Sequence, residues 1–340
     1  MKFTYLIGNP PYQKDVQNEG DRANPVYNIF MEKAYEIADC VELITPARFL
    51  FDAGQTPKAW NQKMLNDPHL KVLYYNADPK GVFQNTEIKG GVAVTLRNVN
   101  KEYGPIKVFT KYDTLNRIIN SVFENYTGDC LDSIISPRGT YRLTNAFFTD
   151  FPFAKEKLGK GTGNMIASNF FEKIPEAWQK DDGENFIGIL SRVNGKRMYC
   201  YIKKNYIIMN EYINGFNVAS PKSNGNGVFG EALTSTEIIP KGYGATDTFI
   251  NIGSFQSKYE AESLTKYIKS KFLRTMLGIK KVTQDNSRSM WNMIPLQDFT
   301  ISSDIDWSKS ISEIDQQLYK KYKLSQEEID FIESHVKEME

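Results

Sequence analysis

Two consecutive prolines close off the first apolar run of the chain. Residues 3–7, Phe-Thr-Tyr-Leu-Ile, are rich in aromatic and branched side chains and lead into Gly8-Asn9-Pro10-Pro11-Tyr12. Proline has no amide proton to give a ladder and fixes its own φ, so a central strand cannot continue through the pair. Asn9-Pro10-Pro11-Tyr12 is therefore expected at the C-terminal tip of a strand. Over residues 25–38, Val26, Ile29, Phe30 and Ile37 recur at helical spacing behind an Asn24-Pro25 start, which predicts a helix. A strand over 41–45 broken by Pro46, a helix over 57–66, and strands over 72–75 and 92–96 follow. This alternation predicts α/β units over residues 1–110, forming part of a doubly wound, mostly parallel sheet. Ligands of such sheets bind beyond the strand C-termini.

After Pro105 the texture changes. Short β-like runs over 186–190, 198–202 and 206–209 alternate with Gly, Asn and Ser clusters, which predicts a β-rich domain over 111–296. Within it, 221–230 reads as a polar glycine-rich loop and 260–277 as one helix. Residues 297–340 read as a short helical tail whose second helix is capped by Ser325, with Glu328 three residues on. The net charge of +1 conceals an asymmetry. Lys266, Lys269, Lys271, Arg274, Lys280, Lys281 and Arg288 face one acid, Asp285, whereas residues 297–340 hold 11 acids against 5 lysines. The first stretch predicts a cationic surface and the second a tail that repels phosphate.

A composition of 41% hydrophobic and 24% charged residues is that of a folded globular chain. No apolar run reaches the roughly 18–20 residues of a membrane span, and no secretory core follows the N-terminus, so a cytoplasmic setting away from membranes is expected. Cys40, Cys130 and Cys200 are too far apart for a disulfide framework or zinc knuckle, and only His69 and His335 are present. Chemistry must then rest on other groups, with no metal expected.

Asn9-Pro10-Pro11-Tyr12 can be a proline-rich turn with a surface tyrosine, but it also matches the catalytic motif of amino-methyltransferases. An adenine amine is a poor nucleophile because its lone pair is delocalised into the ring. Two acceptors aimed at its two hydrogens, the Asn9 side-chain oxygen and the Pro10 carbonyl, would favour a pyramidal nitrogen with a localised lone pair. The prolines fix the direction of that carbonyl, and the Tyr12 ring can stack on a flipped base. The chain further resembles the gamma-type DNA adenine methylases of type II and IIG restriction-modification systems. Ile44-Thr45-Pro46-Ala47-Arg48-Phe49-Leu50 is similar to their next core strand and loop, and Glu87-Ile88-Lys89-Gly90-Gly91-Val92 to a later strand. Residues 249–255, 283–299 and 305–332 are similar to the ends of such methylases. The resemblance implies catalytic roles for Asn9, Pro10, Pro11 and Tyr12, a base-pocket role for Phe83, S-adenosylmethionine as methyl donor and double-stranded DNA as partner.

The glycine loop with which those methylases hold the cofactor is not legible. Gly225-x-Gly227-x-x-Gly230 matches the dinucleotide fingerprint literally, but no helical pattern follows, so it reads as a recognition loop. Gly159-x-Gly161-x-Gly163 lacks a preceding strand, and 249–253 offers a single glycine. A cofactor-binding methylase half is therefore expected from an upstream segment or a partner chain, a restriction subunit being another partner. Two other functions stay open. Asp78, Glu87 and Lys89 have the loose spacing of a Mg²⁺-dependent nuclease. Alternatively the chain is a non-catalytic DNA-recognition subunit. Arg192, Lys196, Arg197, Lys203 and Lys204 interleave with Tyr199 and Tyr201, which suits phosphate contact or an ordinary solvated hairpin. Lys222, Asn224 and Asn226 could reach base edges, and Lys280, Lys281 and Arg288 complete the candidate DNA-binding set.

Overall fold

The computed structural model describes residues 2–14, 24–52, 55–77, 88, 90–159, 161, 163–180, 182–281 and 283–339. The chain divides into two compact units, Met1–Asn116 and Arg117–Glu340.

The first unit runs β1 (Phe3–Gly8), α1 (Tyr27–Ile37), β2 (Ala38–Pro46), α2 (Lys58–Leu65), β3 (Leu70–Asn76) and β4 (Val92–Asn98); α3 (Asp113–Glu124) begins near its end. The strands form one sheet in the order β1-β2-β4-β3. β1 lies parallel to β2, with Gly8 opposite Leu43, but β4 is antiparallel to both β2 and β3. The sheet is thus mixed, not mostly parallel as the alternation suggested. The pairing sets this: the last residue of β3, Asn76, pairs with the first of β4, Val92, so the chain returns at the end where it left. Gly91, at φ +78°, makes that return possible, because a Cβ there would run into the Asn76 carbonyl. Tyr27 and Met31 of α1 pack with Leu43, Phe49, Trp60 and Met64 in the core.

β1 is an edge strand, and one row of its side chains is open to solvent: Phe3, Tyr5 and Ile7 are 61, 69 and 77% exposed. Residues two apart on a strand share a face, so these three make one apolar stripe on a strand that, among the described residues, is paired along one side. Ile29, Phe30 and Ile37 of α1 are exposed as well.

The second unit holds α4 (Asn145–Asp150), α5 (Ala154–Leu158), α6 (Phe170–Lys173), β5 (Trp178–Gln179), β6 (Phe186–Val193), β7 (Lys196–Lys203), α7 (Glu211–Asn214), β8 (Phe216–Pro221), β9 (Glu237–Ile239), β10 (Gly244–Ala245) and β11 (Phe249–Phe255). It ends with α8 (Lys258–Lys269), α9 (Lys271–Gly278), α10 (Ile311–Lys321) and α11 (Gln326–His335). Its sheets are ordered β10-β6-β7-β5 and β11-β8-β9. Helix exceeds strand here, against the β-rich expectation. Most of that helix is α8 to α11, which the sequence reading expected; the short α4 to α6, too brief to print a period on the sequence, are the unexpected part and are held by buried Phe147, Phe170 and Phe171. The run at 206–209 is not a strand: Lys204–Tyr206 is a 3-10 turn, and Ile207 makes an isolated bridge to Leu143. The single helix expected over 260–277 is two, divided at Ser270, whose hydroxyl accepts the Leu273 amide and caps α9.

The charge asymmetry resolves inside this unit. Lys266 donates to the carbonyls of Trp307 and Lys309, Lys271 pairs with Glu333, and Arg274 is buried. The Asp315 carboxylate accepts the amides of Lys271 and Phe272 at 3.0 and 2.9 Å, where the start of α9 offers unsatisfied donors. Burial nevertheless pushes the Asp315 carboxyl up to about 6 and the Arg274 guanidinium down to about 10. Phe272 stacks on Tyr322 at 4.9 Å, and Trp307 lies against Tyr267 and Phe299. The expected cationic surface over 266–288 is therefore reduced: Lys266, Lys271 and Arg274 are turned toward the tail and Lys281 toward Glu231, which leaves Lys269 and Lys280 half-exposed and Arg288 exposed. Ser310 with Glu313, and Ser325 with Glu328, form capping boxes at the tail helices. Among the described residues no helix is long and apolar enough to cross a membrane.

Candidate functional site

In the first unit, Asn9 follows directly on the C-terminal residue of β1. The motif then turns back and is tied to the entry of α1. The Tyr12 carbonyl accepts the Val26 amide at 3.1 Å, Gln13 bridges Pro25, and Lys14 N–H donates to Asn24 O at 2.9 Å. Asn9 and Pro11 are exposed, and Pro10 and Tyr12 half-buried. Burial pushes the Tyr12 phenol up to about 12, so at neutral pH it is an uncharged ring and cannot serve as a base.

Beneath this entry the ring of Tyr27 lies 6.3 Å from Phe49 and 6.1 Å from Trp60. The Phe49 ring belongs to the turn that follows β2, and its neighbour Ala47 donates its amide to Gly91 O at 3.0 Å. The Arg48 stem crosses Gly90, where a Cβ would stand 2.8 Å from Arg48 Cγ. The same end of the sheet thus brings together the Asn9 motif, the turn after β2 and the Gly90-Gly91 pair before β4. Sequence reading singled out the second and third only as resemblances. Their shared placement follows from register, which single-sequence patterns do not carry. Phe83 and the nuclease candidates Asp78, Glu87 and Lys89 lie outside the described residues. Among the described residues, no three His, Cys, Asp or Glu side chains gather as a metal site requires.

The second unit divides the candidate DNA-binding residues. Arg192, Arg197 and Lys222 line one cleft of about 620 Å³ with Ser223, Thr234 and Asp247. Arg192 Nε is anchored on Gly195 O at 3.1 Å, Arg197 Nη1 on Ser235 O at 2.8 Å, and Lys222 pairs with Asp247. Each guanidinium carries five donors, so one anchor sets the fork and leaves others for an anion. Lys196 is exposed at the same end of the hairpin, opposite Val193. Lys203 and Lys204 lie at its far end, Lys203 opposite Phe186, and Lys204 shares a groove with Asp182 and Glu184. Tyr199 and Tyr201 pack edge-on against Tyr243, so they serve the fold of the hairpin.

Two candidates are corrected outright. Asn224 is buried, its side-chain oxygen accepting the Thr234 amide at 2.7 Å, and cannot reach a base. Lys281 is buried and paired with Glu231 at 2.6 Å, so it cannot meet phosphate. Asn226 and Arg288 are exposed, and Lys280 half-exposed; Arg288 Nε is spent on Asp132 O. The cleft residues that sequence reading missed are Thr234 and Asp247, brought there by chain segments remote from the basic hairpin.

Residues 1–83 match the Eco57I restriction-modification methylase family. A 115-residue segment is 29% identical to an uncharacterized adenine-specific methylase of Mycoplasma pneumoniae, covering 33% of this chain and 27% of that protein. A 58-residue segment is 41% identical to the ribosomal RNA large subunit methyltransferase E of a Janthinobacterium, covering 17% of this chain and 25% of that one. The chain spans about a quarter of the length of these curated relatives. Among solved structures, the type IIG restriction endonuclease BpuSI aligns with a TM-score of 0.32 at 10% identity, covering 98% of this chain and 54% of that one. The type IIL restriction-modification enzyme MmeI in complex with DNA aligns with a TM-score of 0.30 at 8% identity, covering 98% and 56%. The resemblance read from the Asn9 motif is thereby borne out: the first 83 residues carry the restriction-modification methylase signature.

Proposed function

We propose that the chain is the adenine-binding and target-recognition portion of a DNA adenine methyltransferase from a restriction-modification system, acting with S-adenosylmethionine as methyl donor. One observation carries this reading: Asn9-Pro10-Pro11-Tyr12 sits just beyond the C-terminal end of a sheet strand, inside the segment that matches restriction-modification methylases. In the proposed site the Asn9 side-chain oxygen and the Pro10 carbonyl accept the two amine hydrogens of a flipped adenine, and the neutral Tyr12 ring stacks on the base. Phe83 joins the base pocket in this proposal. The cleft of Arg192, Arg197 and Lys222, with the nearby Lys196 and Asn226, contacts the duplex.

Two of the glycine candidates are already occupied from within the chain. The amides of Asn226 and Gly227, in the loop that matches the dinucleotide fingerprint, are already filled by the Glu231 carboxylate. At Gly253, a second candidate, the Phe255 ring is packed against the place a Cβ would take. A further methylase segment that pairs with β1 and covers Phe3, Tyr5 and Ile7 would meet the need, and the exposed stripe supports it.

The test is methyl transfer from radiolabelled cofactor to duplex DNA by this chain together with the product of the reading frame beside it. Asn9→Ala should lower turnover by about 10²-fold or more, the usual loss for one preorganised transition-state contact. DNA binding by the same variant should stay near wild type. Near-normal turnover in Asn9→Ala would refute the motif assignment and leave a recognition subunit.

A further inference from the structure

The glycine-rich loop after β8 is not loose. Its composition, Ser223-Asn224-Gly225-Asn226-Gly227, would be disordered on its own, because glycine loses the most conformational freedom on ordering. Gly225, Gly227 and Gly230 all adopt positive φ. Glu231 closes the loop on itself: its carboxylate accepts the Asn226 amide at 2.6 Å, the Gly227 amide at 3.0 Å and the Lys281 ammonium at 2.6 Å. Lys281 also donates to Thr283 O at 3.0 Å. A side chain at Gly225 would collide with that carboxylate. The loop thus forms a nest of backbone N–H groups whose anion is supplied from within the chain.

The rest of the loop is pinned around this centre. Asn224 N–H donates to Gln284 O at 2.9 Å, Thr234 N–H to Asn224 Oδ1 at 2.7 Å, and Lys337 N–H to Gly230 O at 2.9 Å. The side chains of Lys281 and Glu231 are 3 and 14% exposed, so the pair is largely buried and spent on the loop. What it leaves outside are Ser223, Asn226 and Val228, all exposed. Ser223 and Thr234, at the two ends of the loop, line the cleft that holds Arg192 and Arg197. A buried ion pair adds little net stability compared with apolar side chains of the same size, but it does fix geometry.

We infer that Glu231 and Lys281 are positioning residues that hold the 223–234 loop as a rigid reader at the rim of the cleft, with Asn226 as a specificity-determining side chain toward a base edge. This rests on the proposal that the second unit reads DNA. Asparagine suits the task because its amide offers a donor and an acceptor side by side, the pattern that adenine presents in the major groove.

The test is selection of duplexes from a randomised pool by the full-length chain, with salt dependence of binding measured in parallel. Wild type should enrich one short motif. Lys281→Met and Glu231→Gln should bind total DNA with an unchanged salt slope but lose about tenfold or more of the enrichment at one or two adjacent base pairs, the discrimination of one good base contact. Asn226→Ala, an exposed change that leaves the clamp intact, should lose preference at the same base pairs, and it decides the matter if the clamp variants do not fold. Unaltered enrichment in Asn226→Ala, or in a folded Lys281→Met, would overturn the inference while leaving the DNA reading in place. A wild-type chain that enriches nothing would overturn both.

Discussion

Trp307→Ala tests whether the acidic tail is part of the second unit's core or an appendage to it. The indole is buried, lies 5.8 Å from the Tyr267 ring and 5.5 Å from that of Phe299, and donates its N–H to Asp298 O at 2.8 Å. Truncating a buried tryptophan to alanine costs about 3–5 kcal/mol through lost burial and the cavity left behind. The orphaned Asp298 carbonyl adds roughly 1 kcal/mol if water entering the cavity satisfies it only in part. A fall of about 4–6 kcal/mol is expected. For a unit of this size, that corresponds to a Tm lower by roughly 10–20 °C. Guanidinium unfolding followed by circular dichroism should show the midpoint falling without a change of slope. Hydrogen exchange should show the amides of α8, whose Tyr267 ring and Lys266 ammonium meet this residue, losing protection. A loss below about 1 kcal/mol would show that the indole is no part of the core. So would an early, separate melting of α10 and α11 with α8 unaffected.

Two further outcomes follow from features of single residues. Burial raises the Asp315 carboxyl from an ordinary value near 4 to about 6, so the folded protein binds this proton more tightly than the unfolded chain. Its contribution is full below about pH 4 and is lost as pH rises through 6, by up to about 3 kcal/mol. Asp315→Asn should flatten the urea-derived stability curve between those limits, and an unchanged curve would show that the group does not titrate there. On the first unit, Ile7→Lys places a charge in the exposed apolar stripe of β1 and should reduce self-association in sedimentation at constant fold. If association is unaffected, the stripe is not an adhesive surface.

Where a single local signal decides an element, the sequence could be read directly. Pro10-Pro11 ended β1 where the missing amide protons required, and Ser325 with Glu328 located the start of α11. Elements decided by distant partners could not be read. The direction of β4 depends on the pairing of Val92 with Asn76, which hydrophobic patterning does not encode. The inward turn of Lys271, Arg274 and Lys281 depends on Glu333, Asp315 and Glu231, so a linear count of charge mistook internal counter-ions for a surface. Asn224 and Asn226, two residues apart and chemically identical, have opposite fates. One is buried holding the loop together and the other is exposed, and only the path of the backbone distinguishes them. The Asn9 motif was recognisable because its chemistry is concentrated in four consecutive residues. The cleft around Arg192 draws on segments from Ser168 to Phe249 and was legible only in part.

The docking of an acidic tail on a basic helix pair bears on how such a chain can exchange parts with a relative. A chimaera joined at residue 296 would carry α9 into a foreign context and leave behind the Glu333 carboxylate that pairs with Lys271 and the Asp315 carboxylate that accepts the first amides of the helix. It would also strip the glycine loop of the backbone bond from Lys337. Inheritance of an intact loop and cleft therefore has to include the last forty residues or so, although none of the described ones lines the cleft. Substitutions in α9 and in the tail should accordingly be accepted in matched pairs and rejected singly, so that the two segments change as one unit of heredity.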